Sequence, residues 1–434
     1  MKKKCAFHVL GCKVNQNEVE ALKNIFRKEG YVVVPFHEKA DVYVIHTCTV
    51  THISDRKSRQ FIRKAIKNNP EAVVAVTGCY AQVSPHEIAK IPGVDIIIGT
   101  KDRHRIVQLV EEVKEKNEIL NLVDESKFYK EFEELPLANP DRARAFLKVQ
   151  EGCDRYCTYC IIPYARGPVR SRDPESTITE VKKLVSQGYL EVVLTGIHTA
   201  LYGKDFADED VDLSWLIERL AKIDGLKRLR VSSIDPDDFT PRLLKVMTEN
   251  PVVCPHFHIP LQSGDDRILK KMGRRYTTAD YESLVEEIKK RKPGAAITTD
   301  IMVGFPGEDE EKFTNSYKFV EKMPFSDLHV FKYSKRQGTP AAKMKDQVEP
   351  AVKNERSEKL IKLAEGKFSH YAANFLGCWK EVLVERKLEN GYWEGHTDNY
   401  LPVQFSAHGD ADLGCQLVNV CLKKVEGKKI IGKI

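Results

Sequence analysis

Through the first 115 residues, short apolar runs alternate with stretches whose apolar positions recur every three or four residues. That alternation predicts a parallel α/β domain. Strands are expected over 5–10, 31–34, 42–45, 72–76 and 95–98, and helices over 17–29, 54–67 and 85–90. Between 111 and 139 Lys and Glu dominate and no apolar period is sustained, which reads as a linker with room for one helix or hairpin. A second alternation begins near Arg144, with strands over 144–149, 191–194, 229–231, 257–259, 296–302 and 328–331. Helices over 178–187, 213–223, 241–248, 278–290 and 310–322 separate them. Six such units fit an open, partial (β/α)6 barrel, whose chemistry belongs at the carboxyl ends of the strands. The tail changes to short β-prone runs at 381–386, 392–395, 401–405, 416–424 and 430–434, punctuated by Gly, Asn and Asp. Five such strands suggest a small OB-like β-barrel, a frequent binder of oligonucleotides. The expected fold class is therefore α/β: an N-terminal open parallel domain over 1–115, a linker over 116–138, a partial barrel over 139–369 and a terminal β-barrel over 370–434.

Cysteines occupy three of the strand ends in the first domain. Cys12 follows the first strand, Cys48 the run 42–45 and Cys79 the run 72–76. Ligands bind at the carboxyl edge of open α/β sheets, so these thiols are expected to converge on one crevice. Free cysteines are also common in cores, and periodicity alone leaves that reading open. The second set is local. Glu151-Gly152-Cys153-Asp154-Arg155-Tyr156-Cys157-Thr158-Tyr159-Cys160 places three thiols in a C-x-x-x-C-x-x-C run directly after the first barrel strand. Three thiolates can hold three irons of a [4Fe–4S] cubane and leave the fourth open to a substrate or cofactor, whereas a cluster that only carries electrons takes four cysteines. A zinc site would want four ligands in paired knuckles, and the triplet has no partner pair. The odd count of 11 cysteines in a long chain disfavours a disulfide framework.

Composition narrows the setting. No run is apolar enough to span a membrane, and the basic Met1-Lys2-Lys3-Lys4 is not followed by a long apolar segment. A soluble, cytoplasmic chain with reduced thiols and no membrane partner is expected. A net charge of +6 permits a nucleic-acid partner without demanding one. Lysines gather in the tail at Lys423, Lys424, Lys428, Lys429 and Lys433, as they also do on an ordinary solvated surface. Tyr392, Trp393 and Tyr400 are candidates for stacking on bases, against the alternative that each is a core aromatic.

The triplet, with Tyr159 beside its third cysteine, resembles the signature of the radical S-adenosylmethionine enzymes. That resemblance implies that the open iron chelates the amino and carboxylate groups of S-adenosylmethionine, and that Tyr159 contacts the adenine through its backbone. Gly11-Cys12-Lys13-Val14-Asn15-Gln16-Asn17-Glu18, Thr47-Cys48-Thr49-Val50 and Thr77-Gly78-Cys79-Tyr80-Ala81-Gln82 extend the likeness to the methylthiotransferase family over nearly the whole chain. The family joins a first cluster domain, a radical domain and a C-terminal TRAM domain. Cys12, Cys48 and Cys79 align with its first-cluster ligands, so two [4Fe–4S] clusters are implied. The isopentenyl-adenosine group typically reads Gly-Cys-Gln-Met-Asn and the ribosomal-protein group Gly-Cys-Pro-Lys-Asn. The Gly-Cys-Lys-Val-Asn-Gln of this chain is similar to the group acting on threonylcarbamoyl-adenosine at position 37 of tRNA. Leu194-Thr195-Gly196-Ile197-His198-Thr199 and Tyr333-Ser334-Lys335-Arg336 also resemble that group.

The resemblance implies a reaction in which cleavage of S-adenosylmethionine yields a 5′-deoxyadenosyl radical that activates carbon 2 of the adenine. A sulfide or polysulfide on the first cluster is then the implied sulfur source. The implied partners are the anticodon loop of tRNA and a cellular electron donor such as flavodoxin or ferredoxin, and the enzyme is expected to be a monomer. The competing readings are a methylthiotransferase acting on isopentenyladenosine or on a ribosomal-protein Asp, a two-cluster electron carrier that binds RNA, and a zinc-dependent RNA-binding module.

By the same resemblance, cofactor contacts fall at strand ends. Thr195 and Gly196 end the second barrel strand, on the methionine amino group. Ser233 and Asp235 follow the third, toward the ribose hydroxyls, although many relatives carry Glu in place of Asp235. Gln262 follows the fourth, and Val303 ends the fifth on the adenine side. Arg274 is assigned to the cofactor carboxylate. Strand-end turns and surface ion pairs are the alternative for each. Cys5 is expected in a buried strand, and Cys254, Cys378, Cys415 and Cys421 as structural thiols. His256 and His258 are expected on opposite sides of their strand, with at most one facing the site, and Asp265-Asp266 is expected to begin a helix.

Overall fold

A computed structural model describes residues 2–116, 118–136, 143–407 and 412–434. The chain forms two units: Met1–Asn139, Leu147–Arg172 and Ser334–Ala342 make the first, and Pro140–Phe146, Asp173–Tyr333 and Lys343–Ile434 the second.

In the first unit the chain runs β1 (Lys4–Val9), α1 (Lys13–Lys28), β2 (Val32–Val34), β3 (Val42–Thr47), α2 (His52–Asn68), β4 (Val73–Gly78), α3 (Cys79–Val83), α4 (Pro85–Ala89), β5 (Ile96–Ile97), α5 (Ile106–Lys116) and β6 (Leu120–Asn121). The strands form one parallel sheet in the order β2-β1-β3-β4-β5-β6. The unbroken apolar runs of β3 and β4 are buried along their whole length because helices cover both faces. Leu22 and Phe26 of α1 pack with Ile106, Leu109 and Val110 of α5 against Val42 and Val44. Ile62 and Ala65 of α2 pack with Ile88 of α4 against Tyr43, Ile45, Val74 and Val76. Helix α1 starts four residues before its expected start, since Cys12 stands at its N-cap and its polar first turn carries no apolar period. Strand β6 lies inside the expected linker and extends the sheet beside β5.

Further along, β7 (Arg144–Glu151) leads into the cysteine triplet, and α6 (Ile162–Arg166) and β8 (Arg170–Ser171) follow. Pairing of Gln150 with Ser171 and of Glu151 with Arg170 closes that loop at its base.

The second unit continues with α7 (Pro174–Ser186), β9 (Glu191–Gly196), α8 (Leu213–Leu220), β10 (Arg228–Val231), α9 (Pro241–Glu249), β11 (His256–His258), α10 (Asp266–Met272), α11 (Thr278–Arg291), β12 (Ala296–Val303), α12 (Glu310–Lys322), β13 (Asp327–Lys332) and α13 (Pro350–Ala373). Strands β9 and β10 pair in parallel, as do β11, β12 and β13, and a parallel bridge from Leu229 to Val253 links the two sets. Asp265 caps α10 by accepting from the Arg267 and Ile268 N–H groups, as its position before an apolar run requires. Helix α13 was not expected from the sequence. It runs through the expected 369/370 boundary and is fixed by Arg356, which donates to Glu308, and by the Tyr371 hydroxyl, which donates to the Gly294 carbonyl.

The tail forms β14 (Trp379–Lys387), β15 (Trp393–Thr397), β16 (Pro402–Ser406), β17 (Leu417–Glu426) and β18 (Lys429–Lys433), a closed barrel in the order β14-β15-β16-β18-β17. Val382, Val384, Trp393, Val403, Phe405, Val420, Leu422 and Ile430 fill it. Trp393 is thus a core residue and not a stacking platform. Tyr400 is also occupied, stacked between His256 and His396 at 4.7 Å from each, with Arg230 over its face. No helix among the described residues is long and apolar enough to cross a membrane.

Candidate functional site

In the first unit the sheet order reverses between β1 and β3, and ligands of open α/β sheets bind at such a switch point. Cys12 and Cys48 stand at the ends of those two strands, and Cys79 opens α3 after β4. The three loops are in close contact. A side chain at Gly11 would place its Cβ 2.9 Å from Cys48 Cβ and 2.7 Å from Asn15 Nδ2, and φ there is +108°. At Gly78, where φ is +96°, an added Cβ would fall 2.5 Å from the Thr47 carbonyl. Only glycine allows both approaches. Asn15 ties the loops together by donating to the carbonyls of Leu10 (2.7 Å) and Thr47 (3.2 Å).

Burial pushes the Cys48 thiol up, and it pushes Cys79 up to about 12 against the opposing pull of Arg166. As free thiols these groups stay protonated, so a metal that binds them must displace protons. Three thiols, with glycines permitting close approach and a guanidinium beside one sulfur, fit an iron–sulfur centre with three protein ligands.

Under these loops lies a buried charge network. Arg166 donates to Glu18 Oε1 (2.6 Å), Glu151 Oε1 (2.5 Å), Glu18 Oε2 (3.0 Å) and Asn15 Oδ1 (2.9 Å), and its Nε donates to Cys79 Sγ at 3.3 Å. Arg103 pairs with Glu18 (2.6 Å) and Glu133 (2.8 Å), and Lys148 with Glu18 (3.2 Å) and Glu151 (2.8 Å). Burial alone would raise the Glu18 carboxyl, but Arg103, Arg166 and Lys148 hold it well below the usual carboxylate range. These partners are far apart in sequence, and no periodicity or spacing there brings them together.

The triplet belongs to the same unit. Cys157 is buried, whereas Cys153, Tyr159 and Cys160 are half-buried. The Cys153 N–H donates to the Gly167 carbonyl (3.0 Å), and the Cys160 N–H to the Cys157 carbonyl (2.9 Å). Arg336, from the Tyr333-Ser334-Lys335-Arg336 segment, reaches the Cys48 loop, donating to Thr49 Oγ1 (2.6 Å) and pairing with Asp55 (2.7 Å).

In the second unit the strand ends gather most of the expected cofactor residues. Arg274 Nη2 stands 2.7 Å from Asp235 Oδ2 and its side chain is buried. His198, two residues past Gly196, lies 2.5 Å from Asp238 and 3.9 Å from Asp235. Thr195 and Val303 are buried; Gly196, Ser233 and Gln262 are half-buried. Gln262 adopts φ +66° and bridges to β12, its N–H donating to the Asp300 carbonyl. Arg274 also donates through Nε to the Tyr276 hydroxyl, which in turn donates to the carbonyls of Pro260 and Leu261 beside Gln262.

His256 and His258 do not face opposite sides. Both ring systems reach the Thr298 hydroxyl, at 3.0 and 2.9 Å. Side chains alternate with a period of two, so residues two apart share a face and the intervening Phe257 takes the other. His258 and His329 both approach Asp300 Oδ1, at 3.3 and 3.2 Å. Burial would raise that carboxyl, but the two imidazoles hold it below the usual range.

Of the remaining cysteines, Cys5 lies buried in β1 as expected, Cys254 and Cys421 are buried, and Cys378 and Cys415 are exposed.

Two family models match the chain: the radical SAM superfamily over residues 147–320 and the uncharacterized protein family UPF0004 over 4–99. The threonylcarbamoyladenosine tRNA methylthiotransferase MtaB of Bacillus subtilis is 46% identical over 96% of this chain and 93% of its own length. The protein of the same name from Aquifex aeolicus is 44% identical over 92% of this chain and 96% of its own. A tRNA-2-methylthio-N(6)-dimethylallyladenosine synthase of Natranaerobius thermophilus is 37% identical over 98% and 95%. Among solved structures, the radical S-adenosylmethionine methyltransferase TsrM of Kitasatospora setae, with cobalamin and a [4Fe-4S] cluster bound, shares the fold. Its TM-score is 0.57 at 16% identity, over 79% of this chain and 77% of that one.

Proposed function

Because the chain belongs to the radical S-adenosylmethionine methylthiotransferases, we propose that it adds a methylthio group to carbon 2 of N6-threonylcarbamoyladenosine at position 37 of tRNA. The observation that carries this substrate is the 46% identity, spread over nearly both full lengths, to a relative named for it.

The family implies a [4Fe–4S] cluster and S-adenosylmethionine. Cys153, Cys157 and Cys160 would hold that cluster, and Cys12, Cys48 and Cys79 a second one with its sulfide or polysulfide. When bound, the cluster on Cys153, Cys157 and Cys160 would supply an electron to the cofactor, and with it radical chemistry at an otherwise inert C–H position. The chain's own residues do the binding and orienting. In the second unit, Arg274 would meet the cofactor carboxylate, with Asp235 fixing the guanidinium. Thr195, Gly196, Ser233, Gln262 and Val303 would line the cofactor from four strand ends. In the first unit, Asn15 and the two close-packed glycines hold the three thiol loops together. A cellular electron donor such as flavodoxin or ferredoxin would serve the enzyme, and the anticodon loop of tRNA would be its macromolecular partner.

Mass spectrometry of tRNA nucleosides tests the reading. A strain lacking this chain should accumulate threonylcarbamoyladenosine without its 2-methylthio form, and the chain supplied in trans should restore it. Intact 2-methylthio product in the deletion strain, or loss of the isopentenyladenosine derivative in its place, would remove the assignment.

A further inference from the structure

Arg166 is wholly buried, and each nitrogen of its guanidinium has an assigned acceptor. Two nitrogens face Glu18, Glu151 and Asn15, while Nε points at the sulfur of Cys79 from 3.3 Å. The Nε of Arg103 donates to the Glu133 carboxylate at 2.8 Å, whereas the Nε of Arg166 is spent on a thiol. The neighbouring residue touches the other triad, since the Gly167 carbonyl accepts from the Cys153 N–H at 3.0 Å. One two-residue segment at the end of α6 therefore contacts a cysteine of each set.

We propose that Arg166 is a positioning residue for the first cluster, donating a charge-assisted hydrogen bond to its Cys79 ligand and thereby raising the cluster's reduction potential. The proposal rests on the reading that Cys12, Cys48 and Cys79 hold a cluster. Reduction adds negative charge that spreads onto the ligating sulfurs, so a fixed cationic donor at one sulfur stabilises the reduced form more than the oxidised one. Inside a buried site that preference is weakly screened. Arg103 supplies the contrast: it is equally buried and pairs with the same Glu18, yet its contacts are carboxylates and not a sulfur.

The test uses the full chain with Cys153, Cys157 and Cys160 changed to Ala, loaded anaerobically with iron and sulfide so that only the first cluster forms. EPR-monitored redox titration compares this parent with Arg166→Lys, with the charge-balanced Arg166→Gln/Glu151→Gln, and with Arg103→Lys. Lysine keeps the charge but cannot serve the carboxylates and the sulfur together. Both Arg166 variants should shift the one-electron equilibrium at least tenfold toward the oxidised cluster, about 59 mV at 25 °C, and Arg103→Lys should not. Deuteron ENDOR on the reduced parent in D2O should show an exchangeable proton coupled to the cluster that Arg166→Lys lacks. Unchanged potentials in the Arg166 variants, or the same shift in Arg103→Lys, would overturn the proposal and leave Arg166 a general counter-ion. A folded Arg166→Lys protein that loses its cluster while Arg103→Lys keeps one supports it. A parent that forms no cluster fails the underlying reading instead.

Discussion

Arg274 Nη2 and Asp235 Oδ2 are 2.7 Å apart, although the resemblance assigns one to the cofactor carboxylate and the other to its ribose. Each therefore depends on the other for its orientation. Asp235→Asn and Arg274→Met should each weaken S-adenosylmethionine binding about tenfold to a hundredfold, as expected for a lost charge-assisted hydrogen bond of about 1.5–3 kcal/mol. The double variant should lose much less than the product of the two, because the second change finds its partner already gone. Equilibrium dialysis with labelled cofactor, on anaerobically loaded protein, reads all three. Losses that multiply would mean that the two residues act independently.

The two cysteine sets should separate cleanly by product. Changing Cys153, Cys157 or Cys160 to Ala should abolish 5′-deoxyadenosine formation. Changing Cys12, Cys48 or Cys79 should spare cofactor cleavage and eliminate the methylthio nucleoside. Chromatography of both products from one reaction decides the matter, and methylthio product from the Cys79→Ala enzyme would contradict the sulfur-donor role.

At the foot of the parallel strands, Glu191 faces Arg230 at 2.8 Å and Arg144 and Arg228 at 3.7 Å. Burial alone would raise its carboxyl, but Arg230 and Arg144 outweigh it and bring it to about 2. A depressed carboxylate stabilises the fold above its unfolded value, near 4.3, and that contribution is lost as pH falls toward 2. The group should contribute roughly 3 kcal/mol at neutral pH by this linkage. Urea midpoints measured from pH 7 to pH 2.5 should fall mainly below pH 4. In Glu191→Gln the neutral-pH midpoint should drop and the acid limb should flatten. A variant with the parent's acid limb would show that other carboxylates govern it.

Much of this architecture was legible because strands covered on both faces write themselves as continuous apolar runs. The runs at 42–45 and 73–76 are buried throughout, and their ends locate Cys48 and Cys79 directly. The triplet was legible because its ligands are local. What escaped were relations across distance. Arg166 touches Cys79 from 87 residues away, and no periodicity records that contact. Helix α13 was missed because its buried stripe of Leu360, Ala364, Phe368 and Ala372 is thin and set among many charges. Strand β6 hid in a Lys- and Glu-rich segment because two residues at a sheet edge need no apolar pattern. Tyr400 looked like a base-stacking residue since an aromatic in a loop carries no sign of which rings will cover it.

The terminal barrel offers a different aromatic surface. Trp379 is 62% exposed at the start of β14 and pairs in register with Cys421 of β17, two residues before the exposed Lys423. Removing the whole barrel is a poor test of RNA binding, because Arg228 and Arg230 donate to the carbonyls of Glu381 and Asp398 and the deletion would strip them of partners. Point changes avoid this. Trp379→Ala should weaken tRNA binding by about five- to a hundredfold if a base stacks there, from roughly 1–3 kcal/mol per stacked base. It should leave the salt dependence unchanged. Lys423→Gln should weaken binding less at high salt than at low salt, and should reduce the slope of log affinity against log salt by about 0.7–0.9 if the lysine meets a phosphate. Filter binding of tRNA across a salt series separates the two effects, with 5′-deoxyadenosine formation as the control. If Trp379→Ala binds tRNA like the parent at every salt concentration, this face of the barrel is not where the RNA stacks.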